Sequence, residues 1–229
     1  MTALTLYNYA DTVSKSLPVS SWREARRRNA RADLVATAWE IVREDGLGGL
    51  SLRDLARRAG ITTPTVYAYF ESKNAIFDAM FEEAAQSFAD SKLESVEAGD
   101  PHDTLVADAR RFVDFCASDV ARYQLLFQHL LPGFVPSPQA YAPAVRALET
   151  TRETLARNGV RDPAHWDIWT ALMTGLVDQQ IANDPGGDRW SRLVDEVVTM
   201  FLSHCAPTEP AATPDRPGRS QPKNRSSHA

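Results

Sequence analysis

Two cysteines, Cys116 and Cys205, stand in a chain of 229 residues. That is too few for a disulfide framework, so a reducing compartment is expected. No apolar run approaches the length of about 18 residues that a membrane-spanning helix needs. The first 20 residues lack a basic stretch followed by an apolar one, and Arg26-Arg27-Arg28 is not followed by an apolar stretch either. Neither a secretory nor a twin-arginine signal is therefore expected, and a cytoplasmic location is. Apolar-polar alternation is missing, which argues against strands. The five histidines form no His-x-x-x-His pair, and Asp162-x-x-His165 is a chance-level match beside Pro163. There is no Gly-x-Ser-x-Gly, and Gly46-Leu-Gly-Gly follows a helical pattern, not a strand, which excludes a phosphate loop. No catalytic residue, metal or cofactor is expected.

What is present is an ordinary globular composition, with 43% apolar and 24% charged residues, long enough to bury a core unaided. The net charge of −5 hides an uneven distribution. Residues 22–73 hold 10 Lys/Arg against 7 Asp/Glu, residues 74–206 hold 10 against 20, and residues 207–229 hold 4 against 2. A basic head on an acidic body suggests an anion-binding part and a part with another task. The last 23 residues are rich in Pro, Ser and Arg, carry no apolar stripe and are expected to be disordered.

Between the ends the pattern is helical. Leu34, Ala38, Ile41 and Val42 make one apolar face of a helix over Ser21–Asp45, stopped by Gly46. Ser51 can cap a short second helix, with Asp54 reaching back. Thr62 can cap a third, with Pro64 in its first turn, running to about Phe70. Ser72 can cap a long fourth helix carrying Ile76, Phe77, Met80, Phe81, Ala84 and Phe88. Further helices are expected over 104–118, 120–130, 144–158, 163–183 and 188–203, with residues 131–143 a proline-stiffened connector. The expected fold is all-α, with about nine helices. It divides into an extension (1–20), a three-helix head (21–72), a helical body (73–206) and a tail (207–229).

The second and third helices, joined at Gly60, form a helix-turn-helix pattern, with Leu55, Ala56, Ile61 and Val66 where the two must touch. In such a pair the second helix enters the DNA major groove. The candidate interface is Ser51, Leu52, Arg53, Thr62, Thr63, Pro64, Thr65, Tyr67, Ala68 and Tyr69. Lys73 can meet a phosphate. Arg26, Arg27 and Arg28, with Arg23 and Arg31, add phosphate attraction or reach a minor groove as an arm. The alternative to phosphate contact is a solvated helix face for the arginine run and a core role for Tyr67, with Tyr69 divided between core and DNA.

The stretch Ala59-Gly-Ile-Thr-Thr-Pro-Thr-Val-Tyr-Ala-Tyr-Phe70, followed by Ser72-Lys73, resembles the N-terminal domain of the TetR family of transcriptional regulators. The resemblance covers about 50 residues, Asn29–Phe81. Ala68 departs from it, standing where a larger residue is common. The resemblance implies a homodimer on a pseudo-palindromic operator, usually repressing, and a helical body whose small-molecule ligand releases DNA. It also implies a dimer interface in the final helices. The stripes on those helices agree, and Leu176, Ile181, Trp190, Val194, Val197, Val198 and Phe201 are the expected contacts. The candidate ligand pocket is Phe77, Met80, Phe112, Phe115, Cys116, Tyr123, Phe127, Trp166, Trp169 and Met173, although each alone also reads as core. His129, Asp178, Gln179 and Gln180 are polar candidates to orient a ligand. The alternatives are a helical enzyme that kept the head as a relic, or a module whose head binds protein.

Overall fold

The computed structural model describes residues 19–93 and 99–206. The expected extension at 1–20, save its last two residues, and the expected disordered tail lie outside them. The described residues form nine α-helices and no strand: α1 (Val19–Gly49), α2 (Leu52–Arg58), α3 (Thr63–Tyr67), α4 (Lys73–Leu93), α5 (Pro101–Ser118), α6 (Val120–Phe127), α7 (Pro138–Arg157), α8 (Pro163–Asn183) and α9 (Val194–Cys205). A 3₁₀ turn, Ser191–Leu193, precedes α9. The fold is all-α, as the periodicity implies.

Local signals set most of the boundaries. α1 loses helical backbone at Gly46, whose φ is 73°. Ser51 and Thr62 cap α2 and α3 by accepting from Asp54 N and Thr65 N. Three expectations fail. The last helix begins at Val194, behind the 3₁₀ turn, and not at 188. α5 begins at Pro101, three residues early, because Asp100 caps it through His102 N at 2.8 Å. α7 begins at Pro138 and runs through Pro143, inside the expected connector. Ser137 explains this start. Its N–H and hydroxyl donate to Asp78 of α4 at 2.6 and 2.8 Å, while its Oγ accepts from Ala140 N at 3.2 Å. The Pro143 ring is buried, and that packing outweighs the missing helical hydrogen bond.

One apolar core joins α1, α2, α3 and the first half of α4 to Ala121, Leu125 and Leu126 of α6. A second joins α5, α8 and α9, with Leu105, Val113, Met173, Val177, Val198 and Phe201 among its members. Leu176, Val194, Val198 and Phe201, expected at a subunit interface, are therefore buried in the chain's own core. Ile181 and Val197 pack half-buried against it, and Trp190 is also half-buried. An amphipathic stripe on a last helix looks the same whether its own chain or a partner covers it.

Lys92 of α4 is 4% exposed and donates to both oxygens of Asp108 at 2.8 Å and to Thr151 at 2.9 Å, tying α4, α5 and α7 together. Removing one member of a buried pair strands the other charge. Lys92→Met is expected to lower unfolding stability by about 3–5 kcal/mol. Lys92→Met with Asp108→Leu should recover most of that loss, as read by chemical denaturation.

Candidate nucleic-acid interface

The head builds its outer surface from two capped short helices. Leu55, Ala56 and Val66 are buried where α2 meets α3. The turn between them closes as a left-handed cap: Ile61 N donates to Ala56 O at 3.0 Å and Gly60 N to Arg57 O at 3.3 Å, with Gly60 at φ 67°. A Cβ on Gly60 would meet nothing within 4 Å, so the residue is needed for its backbone and not for space.

Two acids of α1 hold α2 to it through Arg58, and a third acid within α2 braces the same guanidinium. Arg58 reaches Glu44 at 2.7 Å, Asp45 at 3.6 Å and Asp54 at 2.9 Å. The Arg57 hydrogen bond first, then those of Arg58, hold the Asp54 carboxyl below its ordinary value. Its ionised form therefore adds stability above about pH 4 that is lost on acidification through the lowered value.

Most residues expected at the interface lie on one exposed surface. Arg53, Pro64, Thr65, Tyr67 and Ala68 are exposed, as are Ser51 and Thr62, and Tyr67 is 52% exposed. Thr63 is half-buried. Several of these groups already have work. The Ser51 hydroxyl caps α2, and the Thr62 and Thr65 hydroxyls pair with each other at 2.8 Å. Leu52 and Tyr69 pack half-buried on the head core, which is a correction to their expected role. Lys73 lies 5.4 Å over the Phe77 ring. Arg26, Arg27 and Arg28 are exposed on α1. Arg27 donates to Ala68 O at 3.3 Å and Arg31 to Tyr69 O at 3.2 Å, capping the carbonyl end of α3. Sequence reasoning missed this second use of the arginines because spacing does not show a partner 38 or 41 residues away.

The residues of the expected pocket divide between the two cores. Phe77 and Met80 are buried in the head core, while Cys116, Tyr123, Trp169 and Met173 are buried in the body core. Burial pushes the Cys116 thiol up, out of the reactive range. Trp166 packs half-buried beside Arg152, whose guanidinium lies 4.8 Å over its ring. Phe112, Phe115 and Phe127, which pack half-buried on the body core, gather around Phe88 at centroid distances of 5.9, 5.0 and 5.7 Å, and Tyr123 lies 5.8 Å from Phe127. An open groove of about 760 Å³ runs instead between α1 and α4, lined by Arg31, Val35, Trp39, Glu83 and Arg122 among others. A cavity of about 60 Å³ lies between α4, α6 and the loop to α7, with exposed His129 at its rim. Asp178 accepts from Tyr123 and Gln128 at 2.8 and 2.9 Å, and Gln179 accepts from Asn183 at 2.8 Å.

A buried two-helix corner presenting an exposed, hydroxyl-rich short helix beside exposed arginines defines a helix-turn-helix protein. Residues 34–80 match the family described as bacterial regulatory proteins, tetR family. The chain thus carries the N-terminal domain of that family over residues 34–80. An HTH-type transcriptional regulator of Mycobacterium tuberculosis is 29% identical over 127 residues, covering 52% of this chain and 54% of that protein. The chain thus spans about half the length of that relative. The HTH-type transcriptional activator FasR of Mycolicibacterium smegmatis is 24% identical over 154 residues, covering 66% of this chain and 69% of that protein. The fold is also that of the transcriptional regulator FadR of Bacillus subtilis, solved in complex with stearoyl-CoA, with a TM-score of 0.55 at 18% identity over 74% of this chain and 96% of that one.

Gly60→Ala is expected to lower stability by about 1–2 kcal/mol, the price of a left-handed alanine, without changing helix content by circular dichroism.

Proposed function

We propose that the chain is a transcriptional regulator that binds a pseudo-palindromic DNA operator as a homodimer and answers to a small molecule. The observation that carries this reading is the presentation of α3. Val66 is buried, while Thr65 and Tyr67 on either side of it face outward with Arg53 nearby in the α2 sequence. A short helix so displayed fits a major groove, and its hydroxyls and the Arg53 guanidinium suit base edges and phosphates. A five-residue helix grips weakly alone, and two copies about 34–36 Å apart, one turn of duplex, supply the rest. Repression is the proposed direction of control, although one relative is named an activator. The proposed location is cytoplasmic; among the described residues no helix is long and apolar enough to cross a membrane.

The proposed subunit face lies on the outer side of α8 and α9. Ala164, Ile168, Ala171 and Gly175 repeat at helical spacing and are exposed on α8, and Met200 is 56% exposed on α9. Small residues let a second copy of the helix approach closely. The half-open ring cluster of Phe112, Phe115 and Phe127 around Phe88 supports an apolar effector in the body. Its binding would act only through a difference in affinity between a DNA-competent and an incompetent arrangement.

Selection of duplexes from a random pool is expected to enrich one two-fold sequence; enrichment of none overturns the reading. Arg53→Ala and Tyr67→Ala should each weaken binding about ten- to hundredfold, equivalent to about 1–3 kcal/mol, while stability stays within about 0.5 kcal/mol. Met200→Glu with Ile168→Glu should give folded monomers by light scattering; an intact dimer overturns the proposed face.

A further inference from the structure

The sequence places no two histidines one helical turn apart, but the fold pairs two of them across helices. His165 lies in the first turn of α8 and His204 in the last turn of α9. Their imidazole rings stand 5.7 Å apart between centroids, with planes at 73°. His165 is half-buried and His204 exposed, so solvent reaches the pair. Among the described residues neither imidazole makes a hydrogen bond or an ion pair. Each neutral ring therefore keeps a nitrogen lone pair for another partner.

The spacing suits a shared metal ion. A metal–nitrogen bond of about 2.1 Å puts the ion about 3.2 Å from a ring centroid. Two imidazoles on one ion then have centroids about 4.5 Å apart at a right angle, about 5.2 Å at the tetrahedral angle and about 6.4 Å when they stand opposite each other. The observed 5.7 Å falls inside that range. Further donors lie at the same junction of helix ends. Asp162 caps α8 through Ala164 N at 2.9 Å, and Cys205 follows His204. Burial first, and then the Asp162 carboxylate, push the Cys205 thiol up, so the two groups are neighbours. The negative end of the α9 dipole and the Asp162 charge offset the positive start of α8. Asp100, His102 and Asp103 also gather, at the start of α5, but a mainly carboxylate set suits harder cations.

We propose that His165 and His204 form a metal clip, in which a divalent cation of the zinc class bridges the first turn of α8 to the last turn of α9. Imidazole selects zinc, copper and nickel over magnesium and calcium. Water and the neighbouring oxygen and sulfur donors complete the coordination. Ile168 follows His165 by three residues and Met200 precedes His204 by four. The clip therefore borders the proposed subunit face and fixes the two helices that carry it. It does not depend on the DNA-binding reading.

The test uses the full chain without a histidine tag, stripped of metal by a chelator, and Zn²⁺ alone as the probe. Calorimetry is expected to show one saturable site per chain, and the His165 and His204 imidazole NMR signals should shift together. With free Zn²⁺ at about a hundredfold over the dissociation constant, the folded state should gain about a hundredfold over the unfolded, read as a raised unfolding midpoint. His165→Gln and His204→Gln should each weaken binding about tenfold or more, with metal-free midpoints unchanged, while His102→Gln binds as the wild type does. Should His165→Gln lower the metal-free midpoint, exposed His204 still carries the test. Absence of saturable binding overturns the clip. So does a wild-type response from the His165→Gln/His204→Gln double variant, a loss confined to His102→Gln, or an equal response to Mg²⁺.

Discussion

One carboxylate joins the two halves of the molecule. Glu83 of α4 accepts from Trp39 Nε1 of α1 at 2.9 Å and from Arg122 of α6 at 2.8 Å. Arg122 and Arg43 lie 5.6 and 5.9 Å over the Trp39 ring, and Arg43 reaches Asp119 at 2.7 Å. Three helices thus converge on one aromatic side chain that is itself 2% exposed. Much of what the head can do follows from this junction. α1 carries the arginines that cap α3, so the direction of α3 is inherited from a helix bolted to the body. The open groove between α1 and α4 runs along the same side chains.

The long helix α4 enforces the same dependence by packing. Ile76, Phe77 and Met80 complete the head core, while Phe88 and Lys92 belong to the body. A rotation of α4 cannot relieve one core without disturbing the other, because close-packed interiors shift between discrete arrangements and do not deform smoothly. The head and body of this chain are joined mechanically before any ligand is considered.

The helical architecture was legible because its signals are local. Ser51, Thr62 and Ser72 cap the helices they precede, and Gly60 sits where a left-handed residue is required. The exposed surface of α3 followed from the same pattern, since Val66 had to point inward and its neighbours outward. What escaped depends on distant partners. Periodicity marks Val194, Val198 and Phe201 as apolar, but it does not say that α5 and α8 of the same chain cover them. Aromatic spacing could not show that Phe77 and Trp169 fall in different cores. Pro143 read as a breaker because nothing nearby announces that Asp78 would start α7 early.

Gln180 of α8 has a further consequence. Its amide oxygen accepts from Trp190 N and Ser191 N at 2.9 and 3.1 Å, and its amide nitrogen donates to Gly187 O at 3.1 Å and to the Asp184 carbonyl. A side chain that both gives and receives at once welds the connecting loop to the helix before it. The point at which the chain turns into the 3₁₀ segment before α9 is thereby fixed by a single side chain of α8.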